Sequence, residues 1–161
     1  MKIIVMSDNH GMLRNPRKIL ETHRDAETVV HLGDSQETIK DLMIEFPDFR
    51  YIAVRGNCDF DFSLPDYEIF TIDGVRFFAT HGHKYNVKFG LDRLMYAAEE
   101  NGINVALYGH THIAREEYED GVYYVNPGAV SGYMGSYALI EVKDGQALIS
   151  IVFLNKKPTD P

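Results

Sequence analysis

Carboxylates, imidazoles and an amide recur in this chain at one kind of place, directly after a short apolar run. KIIVM runs into SDNHG, with Asp8 and His10, and TVVHL runs into GDS, with Asp34. YIAVR runs into GNCD, with Asn57 and Asp59; RFFAT into HGH, with His81 and His83; NVALY into GHTH, with His110 and His112. Oxygen and imidazole donors without thiolates suit hard or borderline divalent ions at five- or six-coordination. Asp8, His10, Asp34, Asn57, His81, His110 and His112 are too many ligands for one small ion and natural for two ions sharing a bridge. Asp34 is the candidate bridge, through its two oxygens. Two ions about 3.5–4 Å apart create a hydroxide nucleophile and stabilise the attacking and leaving oxygens of an in-line displacement. That is phosphoester chemistry.

The elements that must gather these residues are legible from periodicity. Short β-branched and aromatic runs bounded by glycine read as buried strands. Between them, Arg14 to His23 and Gln36 to Phe46 carry apolar residues at helical spacing. Phe89, Leu91, Leu94, Met95 and Ala98 do so more clearly, with Gly102 as the stop. Strand and helix in alternation imply parallel strands with right-handed crossovers. Their C-terminal ends then share one edge, where open α/β folds bind ligands. In a strand, His110 and His112 would also point to one face.

After Ala114 the pattern changes. Glu116 to Tyr118, Val122 to Asn126, Tyr137 to Val142 and Ala147 to Leu154 read as strands, with turns at Asp120-Gly121, Pro127-Gly128 and Asp144-Gly145. The expectation is an antiparallel meander completing a second sheet, and hence two packed mixed sheets flanked by helices in one domain spanning residues 1–161. The tail from about residue 155 is expected to fray.

Composition sets outer limits. With 161 residues, 45% hydrophobic and 25% charged, the chain has the make-up of a soluble globular protein. A formal net charge of −8 without a lysine or arginine cluster disfavours a nucleic-acid binder. No apolar run is long enough to span a bilayer, and MKIIVMSDNH reads as a first strand rather than a signal peptide. The one cysteine, Cys58, fits a reducing compartment, with the cytoplasm as the expected location.

The ordered motifs D-x-H, G-D, G-N-x-D, H-G-H and G-H-x-H resemble those of the calcineurin-like metallophosphoesterases. The length and the GNCD variant look like the small prokaryotic phosphodiesterase subgroup, and the likeness extends to the Asn126-Pro127-Gly128 turn. The resemblance implies a four-layer two-sheet sandwich and two divalent ions, manganese first, with iron, nickel or zinc as alternatives. It also implies that Asp8, His10, Asp34 and His112 hold one ion, and Asp34, Asn57, His81 and His110 the other. Asn57 and His81 would then also position phosphate. His83 is left as a support to the ligands, a substrate contact or a solvated loop residue; Arg55 holds a phosphate oxygen or makes a structural ion pair. Where many relatives carry a histidine after the G-N asparagine and an aspartate three residues after the bridging one, this chain has Cys58 and Glu37. A thiol protonates an alkoxide poorly, so small diesters or activated leaving groups are the expected substrates, turned over by a hydrolase that has no clear general acid. A non-enzymatic interaction scaffold of the same fold, such as the retromer-coat subunit that resembles this family, and a nuclease for short single-stranded ends are the competing readings. A homo-oligomer is compatible with the sequence.

Overall fold

Residues 1–155 are described in the structure, a computed structural model. The first five elements are β1 (Lys2–Met6), α1 (Arg14–Thr22), β2 (Thr28–His31), α2 (Ile39–Glu45) and β3 (Arg50–Ala53). As the alternation predicts, β1, β2 and β3 run parallel. Then come β4 (Tyr67–Ile72), β5 (Val75–Thr80), α3 (Asp92–Glu100), β6 (Val105–Leu107), β7 (Arg115–Glu119), β8 (Val122–Asn126), β9 (Ser136–Lys143) and β10 (Gln146–Phe153). Strand β4 went unread. Its signal was the alternating YEIFTI ahead of Asp73-Gly74, both residues at positive φ (45° and 81°) as a tight hairpin turn requires.

Two five-stranded sheets result, in the orders β10-β9-β1-β2-β3 and β4-β5-β6-β8-β7. The C-terminal strands therefore do not form one meander. The hairpin β7–β8 joins the second sheet, with β8 parallel to β6. The hairpin β9–β10 returns to the first, with β9 antiparallel to β1 in the register Lys2↔Glu141. Burial explains the split. Strand β1 is apolar and buried from Ile3 to Met6 and needs a neighbour on both sides, while β7, with only one of its five residues even partly buried, suits an outer edge.

Two helices also differ from expectation. Gln36 and Glu37 adopt left-handed backbone (φ 51° and 67°), so α2 starts only at Ile39. Helix α3 starts at Asp92, which leaves Phe89 ahead of it in a loop, 86% exposed.

The layers are held by three apolar clusters. Between the sheets, Ile3, Val5, Val30, Phe77, Val105 and Val125 interdigitate. Outside the first sheet, Ile19 and Leu20 of α1 and Ile39 and Leu42 of α2 cover Ile4, Met6 and Val29. Outside the second, Leu94 and Ala98 of α3 cover Phe78, Ala106 and Tyr124. This is the four-layer sandwich expected. No helix among the described residues is long and apolar enough to cross a membrane. The fraying expected of the tail falls, from residue 156 on, outside the described residues.

Phe77 is fully buried and stacks on Phe70 with ring centroids 5.0 Å apart, so Phe77→Ala leaves a cavity between the sheets. The expected cost is about 3–5 kcal/mol, measured as a lowered urea midpoint with unchanged slope.

Candidate metal centre

All five motifs leave their strands at one rim, but the rim is shared. Asp8 and His10 follow β1, Asp34 follows β2 and Asn57 follows β3, all of the first sheet; His81 follows β5 and His110 and His112 follow β6, of the second. The candidate ligands come from bends rather than strand continuations. Asp8, His10, Asp34, His110 and His112 all have positive φ, between 46° and 70°. The two histidines of GHTH therefore meet the site by left-handed turns and not by strand alternation. Such backbone is rare outside glycine, costs about 1–3 kcal/mol per residue, and collects at functional sites.

Close loop packing dictates two of the glycines. A Cβ on Gly56 would lie 2.1 Å from Asp34 Oδ1, and one on Gly109 would lie 2.2 Å from Ser7 Oγ. The loops touch through backbone because no side chain stands between them.

Hydrogen bonds then aim each donor. Asp8 Oδ2 accepts from the Ser7 hydroxyl (2.5 Å) and the His110 N–H (3.1 Å), leaving Oδ1 towards His112 Nε2 (3.1 Å) and His10 Nε2 (3.6 Å). Asp34 Oδ1 accepts from the Cys58 N–H (2.8 Å), leaving Oδ2 3.3 Å from His81 Nε2 and 4.0 Å from His10 Nε2. Asp34 Oδ2 therefore faces histidines of both donor groups. His81 donates its Nδ1–H to the Leu32 carbonyl (2.7 Å), so its Nε2 carries the lone pair. That nitrogen faces Asn57 Oδ1 at 3.0 Å and His110 Nδ1 at 3.2 Å.

The chemistry of this set tests whether divalent ions fit. His81 Nε2, Asn57 Oδ1 and Asp34 Oδ2 are acceptors crowded around one point, and Asp8 Oδ1 with the Nε2 atoms of His10 and His112 crowd around another. Acceptors packed face to face repel unless a cation lies among them, so the residues fit ions well. The protonation tendencies of the two histidines differ. Burial opposes charge on both Asp34 and His81, yet their mutual contact holds the carboxyl well below the usual carboxylate range and raises the imidazole. Burial and the neighbouring His81 push His110 down to about 4, the neutral form a ligand needs. Asp8 and His81 are fully buried and Asp34 nearly so, whereas Asn57 and His112 are exposed and open one side of the site to solvent.

Several supporting residues were not singled out from sequence. Asp59 is buried and accepts from the N–H groups of Asp34 (2.8 Å), Gly56 (2.7 Å) and Gln36 (2.7 Å), tying two ligand loops together. Its signal was its place in GNCD. Asn126 donates to the Gly109 carbonyl and Thr111 Oγ1, both at 3.0 Å, and so braces GHTH. His31 is a satisfied core histidine: Nε2–H donates to Asn9 Oδ1 (2.9 Å), Nδ1 accepts from Gly33 (3.1 Å), and burial lowers its pKa to about 4.

Other candidates take different positions. Of its two open roles, Arg55 shows the ion pair, with Asp66 at 2.7 Å, and its guanidinium lies 4.8 Å over the Phe62 ring. His83 is half-buried with Nδ1 unpartnered among the described residues, its ring 5.4 Å from that of His81. Cys58 Sγ lies within reach of the His10 and Asp34 donors. Glu37 is turned away, accepting from the Phe60 N–H (2.8 Å).

Comparison with known proteins agrees with this fold. Residues 1–145 match the calcineurin-like phosphoesterase superfamily domain, and the chain belongs to that family. A probable metallophosphoesterase of Bacillus subtilis, YsnB, is 30% identical over 154 residues, covering 92% of this chain and 89% of its own length. The phosphodiesterase MJ0936 of Methanocaldococcus jannaschii is 33% identical over 160 residues, covering 89% and 93%. A solved structure of a predicted phosphoesterase from Streptococcus pneumoniae superposes with a TM-score of 0.82 at 28% identity, covering 94% of this chain and 88% of that one. Membership implies divalent metal ions at this rim.

Three substitutions separate ligands from supporting residues. His81→Ala should lower the metal retained after dialysis, read by elemental analysis, while His83→Ala should keep it and lower turnover about 10–100-fold. Reversed phenotypes would put His83 on the metal. Asp59→Ala frees three N–H groups, two of them buried, and should weaken metal binding about 10–100-fold by calorimetric titration while the far-ultraviolet dichroism stays unchanged.

Proposed function

We propose that this chain is a phosphodiesterase that hydrolyses a small phosphodiester with two divalent ions. Asp8, His10, Asp34 and His112 hold one ion, and Asp34, Asn57, His81 and His110 the other. The observation that carries this reading is the meeting of the two donor groups at Asp34 Oδ2. When bound, the ions supply Lewis acidity towards the phosphoryl oxygens and lower the pKa of the attacking water. Manganese and iron suit the nitrogen and oxygen donors.

The chain's own residues do the rest. The Leu32 carbonyl keeps the proton of His81 on Nδ1, so the ring meets the site as a ligand and not as an acid. The Ser7 hydroxyl and the His110 N–H occupy one oxygen of Asp8, so that the other points inward. Exposed Asn57 and His112 leave the open side for a phosphate group. Substrate selection follows from what stands beside Asn57. Burial, with Asp34 close by, pushes the Cys58 thiol pKa up, so it stays protonated and is a weak donor to an alkoxide. Glu37 is occupied as a loop brace and assists no acid. Diesters and activated leaving groups are therefore preferred over alkyl monoesters, and the single thiol suits a cytoplasmic setting.

Elemental analysis after manganese loading should approach two ions per chain, and Asp34→Asn should lose most of both. A stoichiometry held at one in saturating metal would sink the two-ion reading. Cys58→His should raise turnover of alkyl esters more than that of nitrophenyl diesters.

A further inference from the structure

We propose that a groove leading away from His110 holds a flat aromatic ester substituent of the substrate, an inference that rests on the phosphodiesterase reading above. The groove encloses about 650 Å³, within the range of small-molecule sites. Both of its walls grow out of ligand-bearing loops. One wall is the Val87–Leu91 segment: a Cβ on Gly82, between His81 and His83, would lie 2.7 Å from a Val87 methyl, so Val87 packs directly on the turn between the two histidines. The other wall begins at Thr111, between His110 and His112, and continues through Ile113. A group seated here lies beside the loops that carry His81, His110 and His112.

The lining is suited to a ring. Leu91, Met95, Tyr108 and Ile113 give it an apolar surface. Phe89 stands at its edge, 86% exposed, although its N–H is anchored to the Asn86 carbonyl at 3.0 Å. A phenyl ring held in water by an ordered loop offers a face for stacking. The opposite wall is equally ordered, because Thr111 Oγ1 accepts from Asn126 Nδ2 (3.0 Å) and from the Ile113 N–H (3.2 Å). Charge matches a monoanionic diester. Arg115 is paired with Glu117, while the exposed Lys88 also lines the groove. A cation in the lining beside an apolar surface matches an aryl or nucleobase diester better than a dialkyl one.

The test compares competitive inhibition by diphenyl phosphate and dimethyl phosphate, with bis(p-nitrophenyl) phosphate as the reporter substrate of the manganese-loaded protein. Diphenyl phosphate should bind roughly tenfold tighter or more, the size of one ring–aromatic contact. Phe89→Ala and Ile113→Ala should each remove most of that preference. In the zinc-loaded protein, diphenyl phosphate should shift the Met95 and Ile113 methyl resonances. An undiminished preference in both variants would overturn the inference. So would shifts centred instead on Met12, in the separate groove of about 370 Å³ that Arg14 and Tyr133 also line. If no diester is hydrolysed but the Met95 and Ile113 shifts appear, the aromatic groove stands and the phosphodiesterase reading falls.

Discussion

One buried hydrogen bond ties the rim together: His81 Nδ1–H to the Leu32 carbonyl, at 2.7 Å. His81 ends a strand of one sheet and Leu32 ends a strand of the other, so the bond spans the sandwich where the ligands gather. It does two things at once. It satisfies a carbonyl that has no ladder partner at a strand end, and it sets the tautomer that turns Nε2 towards Asn57, Asp34 and His110. The Asp8 carboxylate makes a second crossing through the His110 N–H. Without these two contacts the sheets would still share their apolar core, but the donors of each would have no defined distance to those of the other.

The price of that arrangement is visible in the backbone. Five of the candidate ligands occupy left-handed conformations, and Asp34 and Asp8 are buried carboxylates. Neither is stable alone. Both are held by short loops whose N–H groups converge on Asp59, Asp8 and Asp34, so the polar network supports itself around the positions where cations would sit. A bound ion would relieve the repulsion among the acceptors and stabilise the rim by mass action.

Much of this was legible in the sequence, and the reasons are specific. The motifs followed strands closely, and the alternation of β1, β2 and β3 with helices left one sensible edge for Asp8, Asp34 and Asn57. The partition of the C-terminal strands was not legible, because hairpins β7–β8 and β9–β10 look alike locally and only burial of β1 on both sides decides where each goes. The orientation of Asp34 was hidden for a similar reason: its Oδ1 accepts from the Cys58 N–H, a contact between loops 24 residues apart. Asp59 stood in the GNCD motif without a role because it binds backbone, which no spacing of side chains reveals.

The register Lys2↔Glu141 has a consequence for the order in which the molecule comes into being. Strand β1 acquires β2 as a neighbour early in synthesis, but its other flank waits for β9, almost the whole chain later. Until then one edge of a strand that is apolar from Ile3 to Met6 is open, and the Val130 N–H that caps the Ser7 carbonyl has not yet emerged. Contacts so distant along the chain close slowly, and an unpaired apolar edge invites association while it waits. The nascent protein is thus most vulnerable when its first three ligand loops already exist and the last strand that braces them does not.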